Sequence, residues 1–358
     1  MTFTLKTALL SSALGLTLLG CNDPGVKDTT NQTEIIKTEF IDFMGEQVAI
    51  SGSFPKHLLN QTDEEFRTYF LSLHGGANLR TTAEESAISS EELMTIVTPV
   101  VNKYPDVSWE KEISDKDLKR IYKDFKSIKT LDEIREKSEV IVNYYDALIK
   151  EEVIPQIIEY KKVKKNKGAR VTWDPLDPFD RMNIYEQSVA LNHPRYSTGY
   201  VTAGGQATAA SSLAGLGNND IPTKANAMRH AAWNCFGIRN VILLGSSEGT
   251  AVNYLRECTS AHEMDDAGNR ILTSDAAMDL HNNMVGRTWM ADETGWGFAW
   301  ARKMPSEPRI ANTMQIRAER AIQYDDSNVS GIISRQGGWD VLYNNNTGSD
   351  TELVYIIN

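Results

Sequence analysis

The chain has 358 residues, a length typical of two ordinary domains, and its 41% of hydrophobic and 24% of charged residues exclude a wholly disordered polypeptide. The 48 Asp and Glu residues outnumber the 37 Lys and Arg residues, and a formal net charge of −11 argues against a nucleic-acid-binding protein, whose surface would be basic. Three cysteines are too few for a scaffold stabilised by disulfides.

The first twenty residues have the features of a bacterial export signal, because Lys6 precedes an apolar run over residues 8–19. The junction Leu18-Leu19-Gly20-Cys21 resembles the lipobox of bacterial lipoproteins. In that family the signal is cleaved before the cysteine, which is acylated, so the resemblance implies that Cys21 is the lipidated first residue of the mature protein. Asn22 stands where enterobacterial lipoproteins of the inner membrane carry Asp. We therefore expect an envelope protein that is attached to the outer membrane by its lipid anchor. The sequence identifies no protein partner.

The composition of the chain changes along its length and predicts a tether, a first domain and a linker. Residues 21–37 are polar and rich in turn formers, as in a flexible tether. Residues 38–160 contain repeated helix-start signals of the form Ser or Thr followed three residues later by Glu, and predict an N-terminal helical bundle. Residues 161–180 combine a run of Lys and Arg with two prolines and predict a linker. A patch for anionic lipid or an envelope polymer is the alternative for this basic run.

Residues 181–358 are predicted to form a C-terminal domain that is also mainly helical. Residues 224–244 and 249–263 have the pattern of two helices joined at a glycine-rich turn, and a third helix begins near Ser274 or Asp275. A further amphipathic helix is expected over 306–323. A small terminal β-hairpin is expected between Gly337 and Ile357, turning at the asparagine-rich segment near 345. The predicted fold class is therefore mainly α.

Cys235 and Cys258 lie at matching levels of the first two helices of this domain, on either side of their turn. Because the periplasm is oxidising, the expected state is a disulfide between them. Two buried free thiols are the alternative. A histidine pair, His230 and His262, also lies at matching levels, but the angular positions on ideal helices do not allow both pairs to face one interface squarely.

The same region concentrates the residues that carry chemistry. Three of the six histidines fall between Lys224 and Trp289, together with acids and amides. His230 and His262, with a carboxylate from Asp279 or alternatively Glu263, match the ligand types of a hydrolytic divalent-metal site such as zinc. The candidate catalytic residues are Glu263 as general base, His281 and Asn283. No H-E-x-x-H or C-x-x-C motif is present, and a buried polar network that fixes helix packing remains the alternative.

Three motifs of this region occur together: R-H-A-x-W-N at 229–234, A-H-E at 261–263 and M-D-L-H-N-N-x-x-G-R at 278–287. Their combination resembles an uncharacterised bacterial domain of unknown function, found at the C-termini of secreted, lipoprotein and polymorphic-toxin-like proteins. The likeness covers roughly residues 180–358. It implies a functional centre but does not identify the reaction. Besides the candidates above, it implies structural or orienting roles for Arg229, Trp233, Asn234, Asn282 and Gly286.

Two other functions compete with a metal-dependent hydrolase of an envelope substrate, phospholipid or peptidoglycan. The G-x-S-x-G pattern at 245–249 would make Ser247 the nucleophile of a serine hydrolase, with Asp279 and His281 following in chain order and His74-Gly75-Gly76 as an oxyanion loop. That fold needs a parallel sheet, which the helical pattern upstream disfavours. The non-enzymatic alternative is a lipid-anchored binding or interaction module whose histidine centre is purely structural.

Overall fold

A computed structural model describes residues 38–51, 54, 56–73, 88–166, 182–219, 221–265, 267–296 and 302–357. The signal sequence, Cys21, the tether and the His74 loop lie outside these residues. Residues Thr38–Asn358 form one compact unit. The described part of the chain is mainly α, which confirms the predicted fold class. No helix in the described ranges has both the length and the apolar character that crossing a bilayer requires.

The helices, numbered in chain order, are α1 (Asp63–Leu73), α2 (Ser90–Val101), α3 (Asp115–Asp124), α4 (Leu131–Glu136), α5 (Ser138–Asn166), α6 (Ile184–Asn192), α7 (Pro194–Leu213), α8 (Lys224–Leu243), α9 (Glu248–His262), α10 (Ser274–Glu293), α11 (Glu307–Glu319), α12 (Val329–Ser334) and α13 (Trp339–Asn344). The strands are β1 (Thr38–Phe43), β2 (Glu46–Ser51), β3 (Gly295–Trp296), β4 (Arg302–Lys303), β5 (Ile322–Asp325) and β6 (Val354–Ile357).

The predicted N-terminal bundle begins with a β-hairpin that the helical pattern did not indicate. Strands β1 and β2 pair antiparallel through a tight turn in which Met44 and Gly45 both have positive φ, 51° and 83°. Such a pair of left-handed residues matches the twist of a two-residue hairpin. Beyond the hairpin the local signals are confirmed. Ser89 and Thr130 form reciprocal capping boxes with Glu92 and Glu133 at the starts of α2 and α4.

The predicted boundary between two domains does not coincide with a break in packing. One apolar core contains Phe66 and Tyr145 from the first half and Trp233 from the second. Residues 161–166 of the predicted linker belong to the end of α5, and the rest of that linker lies outside the described residues. The basic run therefore begins as a helix that is packed on the body.

Helix α8 is the central element of the second half and packs against α7, α9, α10 and α11. The predicted helices over 224–244 and 249–263 are confirmed as α8 and α9, and the third helix begins at Ser274 as expected. At the crossing of α8 and α10 the backbones nearly touch, because a Cβ on Gly286 would lie 2.3 Å from the carbonyl oxygen of Ala231. Glycine is therefore required at position 286 for helix packing.

The predicted terminal hairpin is wrong. Residues Trp339–Asn344 form the short helix α13. Strand β6 pairs in parallel with β5 and not antiparallel with the segment just before it in the chain. Helix α10 holds this strand through Asn282, whose side-chain amide donates to the carbonyl oxygen of Val354 at 2.9 Å and accepts from its N–H at 2.9 Å. An asparagine side chain thus replaces a neighbouring strand on one edge of β6, a long-range pairing that no turn signal predicts.

Candidate acid–base centre

Six titratable side chains from α6, α8, α10 and the C-terminal end of α9 come together. We call this group the acid–base centre: it consists of Glu186, Arg229, His230, His262, Glu263 and Asp279. The structure therefore brings together four predicted site residues, His230, His262, Glu263 and Asp279, with the predicted orienting residue Arg229. Glu186 was not predicted.

His262 is held by a carboxylate from α6. Its Nδ1 lies 2.9 Å from Oε2 of Glu186, whose other oxygen accepts a hydrogen bond of 2.8 Å from the hydroxyl of Tyr200. The imidazole also meets the ring of Trp233 edge to face at 5.8 Å. Burial lowers the pKa of His262, but the attraction and hydrogen bond of Glu186 outweigh burial and raise that pKa to about 9. His262 is therefore an imidazolium at neutral pH.

His230 lies in the opposite electrostatic situation. Its Nε2 is 3.0 Å from a guanidinium nitrogen of Arg229 and 3.1 Å from a carboxyl oxygen of Asp279. Burial, followed by the positive charges of Arg229 and His262, lowers the pKa of His230 well below its usual value. Burial and the neighbouring carboxyl of Glu263 raise the pKa of Asp279 well above its usual value. Both shifts favour the uncharged form of the side chain.

Glu263 follows the last residue of α9 and is 8% exposed. Burial raises the pKa of its carboxyl, His262 lowers it, and the charge of Glu186 raises it again, so that the pKa lies at about 7. Because the carboxylate of Glu263 raises the pKa of Asp279, the two carboxyl groups do not titrate independently. A carboxyl that titrates near neutral pH beside an imidazolium is a combination suited to general acid–base chemistry.

The acid–base centre opens to solvent on one side. The side chains of His262 and Asp279 are 17% and 16% exposed, whereas those of His230 and Glu186 are 3% and 2% exposed. Water can therefore reach His262 and Asp279, whereas Glu186 and His230 are enclosed by the protein.

The predicted metal site does not fit this geometry. Within the described ranges, no group of three or more His, Cys, Asp and Glu side chains is arranged to hold a metal ion. Nε2 of His230 faces the guanidinium of Arg229, and Nδ1 of His262 faces Glu186. A cation of higher charge beside Arg229 would meet electrostatic repulsion. The set His230, His262 and Asp279 is therefore corrected from metal ligands to members of an acid–base centre.

The remaining predicted residues on α10 mostly support packing. His281 was predicted to be catalytic, but its Nε2 lies 2.9 Å from the carbonyl oxygen of Glu352, on the side of the helix that faces β6. Asn283 accepts a hydrogen bond of 2.7 Å from Asn234 and interacts with His230, so it lies behind the centre as an orienting group. The catalytic assignment of His281 is therefore corrected to a structural one.

Arg287 is a residue whose importance sequence reasoning missed. It is fully buried and donates to the side chains of Asn234 and Thr259, at 3.1 and 3.2 Å, and to two backbone carbonyls of the segment after α13. Burial lowers its pKa to about 9. Its position at the end of the third motif was the only signal available. Arg287 ties α8, α9 and the C-terminal segment to α10.

The predicted disulfide is not formed, since Cys235 and Cys258 are both buried free thiols. Cys235 donates from Sγ to the carbonyl oxygen of Gly286 on α10, at 3.3 Å. Cys235 therefore faces α10.

Ser247 is a helix cap, not a nucleophile. Its hydroxyl accepts from the N–H of Thr250 at the start of α9 and donates to a carboxylate oxygen of Glu139 at 3.2 Å. The only parallel strand pair among the described residues is β5 with β6, far along the chain from the G-x-S-x-G pattern. The serine-hydrolase alternative is therefore corrected, and Gly245, with φ of 107°, serves a helix–helix turn.

Glu186 was missed because its local signal is that of a helix start. Asn183 accepts a hydrogen bond from the N–H of Glu186 at 2.9 Å, so the pair resembles an ordinary N-terminal cap. Only the packing of α6 on α9 turns the carboxylate of Glu186 toward His262.

One comparison with known proteins found a match, and the matched residues include most of this centre. Residues 187–304 match a protein-family model described as a domain of unknown function, DUF6973. This match fits the expected uncharacterised domain. It contains every residue of the acid–base centre except Glu186, which precedes it by one position. A search of curated proteins and a search of solved structures found no match to the chain.

Proposed function

We propose that this protein is a hydrolase that uses the acid–base centre without a metal ion. One observation carries the proposal: the buried carboxyl of Glu263 has a pKa of about 7 and stands beside His262, which is held as an imidazolium by Glu186 and is partly exposed to solvent. A base that is ionised near neutral pH next to an acid that is still protonated is the arrangement that hydrolysis by water requires.

In the proposed reaction, the carboxylate of Glu263 removes a proton from a water molecule. The water oxygen forms a bond to the carbonyl carbon or phosphorus of the substrate. The bond to the leaving-group oxygen or nitrogen breaks, and the imidazolium of His262 gives its proton to that atom. Proton transfer from Glu263 to His262, directly or through solvent, restores the starting state, so each turnover consumes one water molecule and no redox partner. Burial and the negative charge of Glu186 keep the pKa of Glu263 high.

The proposed substrate is a component of the bacterial envelope, either phospholipid or peptidoglycan. This part of the proposal rests on the N-terminal signal and on Cys21, which would hold the mature protein at the outer membrane by its lipid. The acidic net charge of the chain is compatible with a membrane-attached body that does not itself bind anionic lipid strongly.

The test is hydrolysis by the exported full chain, extracted in detergent. Vesicles of phosphatidylethanolamine and phosphatidylglycerol are assayed for released fatty acid and headgroup, and purified peptidoglycan for released fragments. Glu263→Gln and His262→Gln should each lower the rate by about a hundredfold or more, the usual contribution of a general acid or base. Asp292→Asn, an exposed acid on α10, and His57→Gln, an exposed histidine near the N-terminus, are the matched controls and should keep full activity.

The hydrolase proposal is contradicted if the wild-type chain hydrolyses neither substrate, or if both active-centre variants remain as active as the controls. Inactive wild-type protein together with variants that change only stability would favour the binding or interaction module. Arg287 and Asn234 support that alternative, because their hydrogen bonds show that part of the polar network serves helix packing.

A further inference from the structure

A second polar site lies at the junction of the N-terminal hairpin, α1, α5, α6 and α9. It is a cleft with two adjoining lobes of about 280 and 390 Å³. Both lobes are lined by Met44, Asp63, Asn143 and His193, and we call the whole the His193 cleft. Its residues take no part in the acid–base centre.

His193 occupies the middle of this cleft between two carboxyl groups. Its Nε2 is 3.8 Å from Asp63, and its Nδ1 is 3.8 Å from Oδ2 of Asp146. The ring is stacked on Tyr196 at 5.3 Å and meets the edge of Tyr254 at 5.8 Å. These two acid–imidazole separations are too long for direct hydrogen bonds, so the carboxyl groups keep capacity to accept from something else.

The cleft contains buried acceptors that nothing in the described part of the chain satisfies. Oδ2 of Asp146, Oδ1 of Asn143 and Oε1 of Gln61 have no hydrogen-bond partner, and Asp146 is 0% exposed. All three residues line the smaller lobe. Buried polar atoms are paired in nearly all native proteins, so a group of unpaired acceptors around a cavity calls for a ligand that donates hydrogen bonds.

The charge of the cleft is also one-sided. Its lining includes four acids, namely Asp63, Asp146, Glu139 and Glu257, against Lys150 and the imidazole of His193. Burial lowers the pKa of His193, but Asp146 and Asp63 outweigh burial and raise it, so two basic groups face four acids. The larger lobe has no Lys or Arg among its described lining residues. Lys150 donates to Asn192 at 3.2 Å and lies over the ring of Phe66, so its ammonium group is engaged within the protein. The cleft therefore favours a positively charged ligand.

We propose that the His193 cleft binds the primary ammonium group of a small ligand of about amino-acid size. An ammonium nitrogen carries three donors, which suits Oδ2 of Asp146, Oδ1 of Asn143 and the acidic larger lobe. The volumes of the lobes are at the lower end of the range for small-molecule sites. Phe43, Leu58 and Leu59 line the smaller lobe and offer apolar contact to an aliphatic chain.

The test is isothermal titration of the full chain with 1,5-diaminopentane and with L-lysine. Pentane-1,5-diol, which has the same chain length and no charge, is the matched control ligand. We expect saturable 1:1 binding of at least one amine and no binding of the diol. Binding of both amines shows that an alkylammonium group is sufficient, and binding of lysine alone shows that the α-amino acid group contributes.

Variants separate the cleft from other acidic surfaces. Asn143→Leu and Glu139→Gln should each weaken amine binding about tenfold, a loss typical of one hydrogen bond to a charged group. Asp132→Asn, an exposed acid on α4, should bind like wild type. Asp146→Asn should abolish binding, with thermal unfolding as the check that it folds. The proposal is overturned if neither amine binds at about 10 mM, a concentration that detects even very weak sites. It is equally overturned if the diol binds as well as the amines, or if Asn143→Leu and Glu139→Gln bind unchanged.

Discussion

Replacing Glu263 by Gln should make the protein more stable at pH 8, although it removes the proposed general base. The carboxyl of Glu263 is 8% exposed, and burial together with the charge of Glu186 raises its pKa to about 7 from an ordinary value of 4.5. Between these two pH values the unfolded chain has lost this proton while the folded chain still binds it. Folding stability therefore falls as the pH rises from about 4.5 to 7, and the loss remains at higher pH.

The magnitude follows from the difference between the two pKa values. Each unit of pKa corresponds to about 1.4 kcal/mol, so the ionised carboxylate costs the folded state about 3 kcal/mol above pH 7. Glutamine has nearly the same shape and no charge, so Glu263→Gln should recover most of this free energy at pH 8. It should recover none of it near pH 4, where the wild-type carboxyl is already protonated in both states.

The assay is thermal unfolding of wild type, Glu263→Gln and the control Asp292→Asn at several pH values. At pH 8 the melting temperature of Glu263→Gln should exceed that of wild type by roughly 6 °C, using the low end of the conversion for large domains. The difference should shrink as the pH approaches 4, and the control should show none at any pH. A Glu263→Gln protein that is less stable than wild type at pH 8 would refute the conclusion that the ionised carboxylate of Glu263 destabilises the folded state.

Three further outcomes follow from the packing. Gly286→Ala should destabilise the protein by about 1–3 kcal/mol in denaturant unfolding, because its Cβ would lie 2.3 Å from the carbonyl oxygen of Ala231. Gly205→Ala, on α7 with no atom within 4 Å of its Cβ, should instead stabilise by about 0.5–1 kcal/mol, and equal effects of the two changes would contradict the close helix crossing. When the protein is unfolded without reductant, Cys235 and Cys258 should both react with a thiol reagent. If neither reacts, the two cysteines form a disulfide after all.

Local signals allowed most helices to be predicted, since the free energy of a cap or a glycine turn depends on a few neighbouring residues. The boxes at Ser89 and Thr130, the turn at Gly245 and the start of α10 are of this kind. Strand β6 could not be predicted correctly, because its partners are Asn282 on α10 and the distant strand β5.

The acid–base centre could be predicted only in part for the same reason. The motifs placed His230, His262, Glu263 and Asp279 in one region, but the role of each depends on what it faces after folding. Glu186 and Arg229 turn a set of plausible metal ligands into a group in which one imidazole is charged and the other neutral. The side of α10 on which His281 lies could not be decided without knowing where β6 packs.

The most direct test of metal-independent acid–base catalysis is the pH dependence of hydrolysis by the wild-type chain, measured in excess chelator. The rate should rise as Glu263, coupled to Asp279, loses its proton near pH 7, and it should fall as His262 loses its proton near pH 9. The account predicts this bell-shaped profile with the same maximum, near pH 8, in the presence and absence of chelator. Activity that disappears in chelator and returns with added zinc would contradict it.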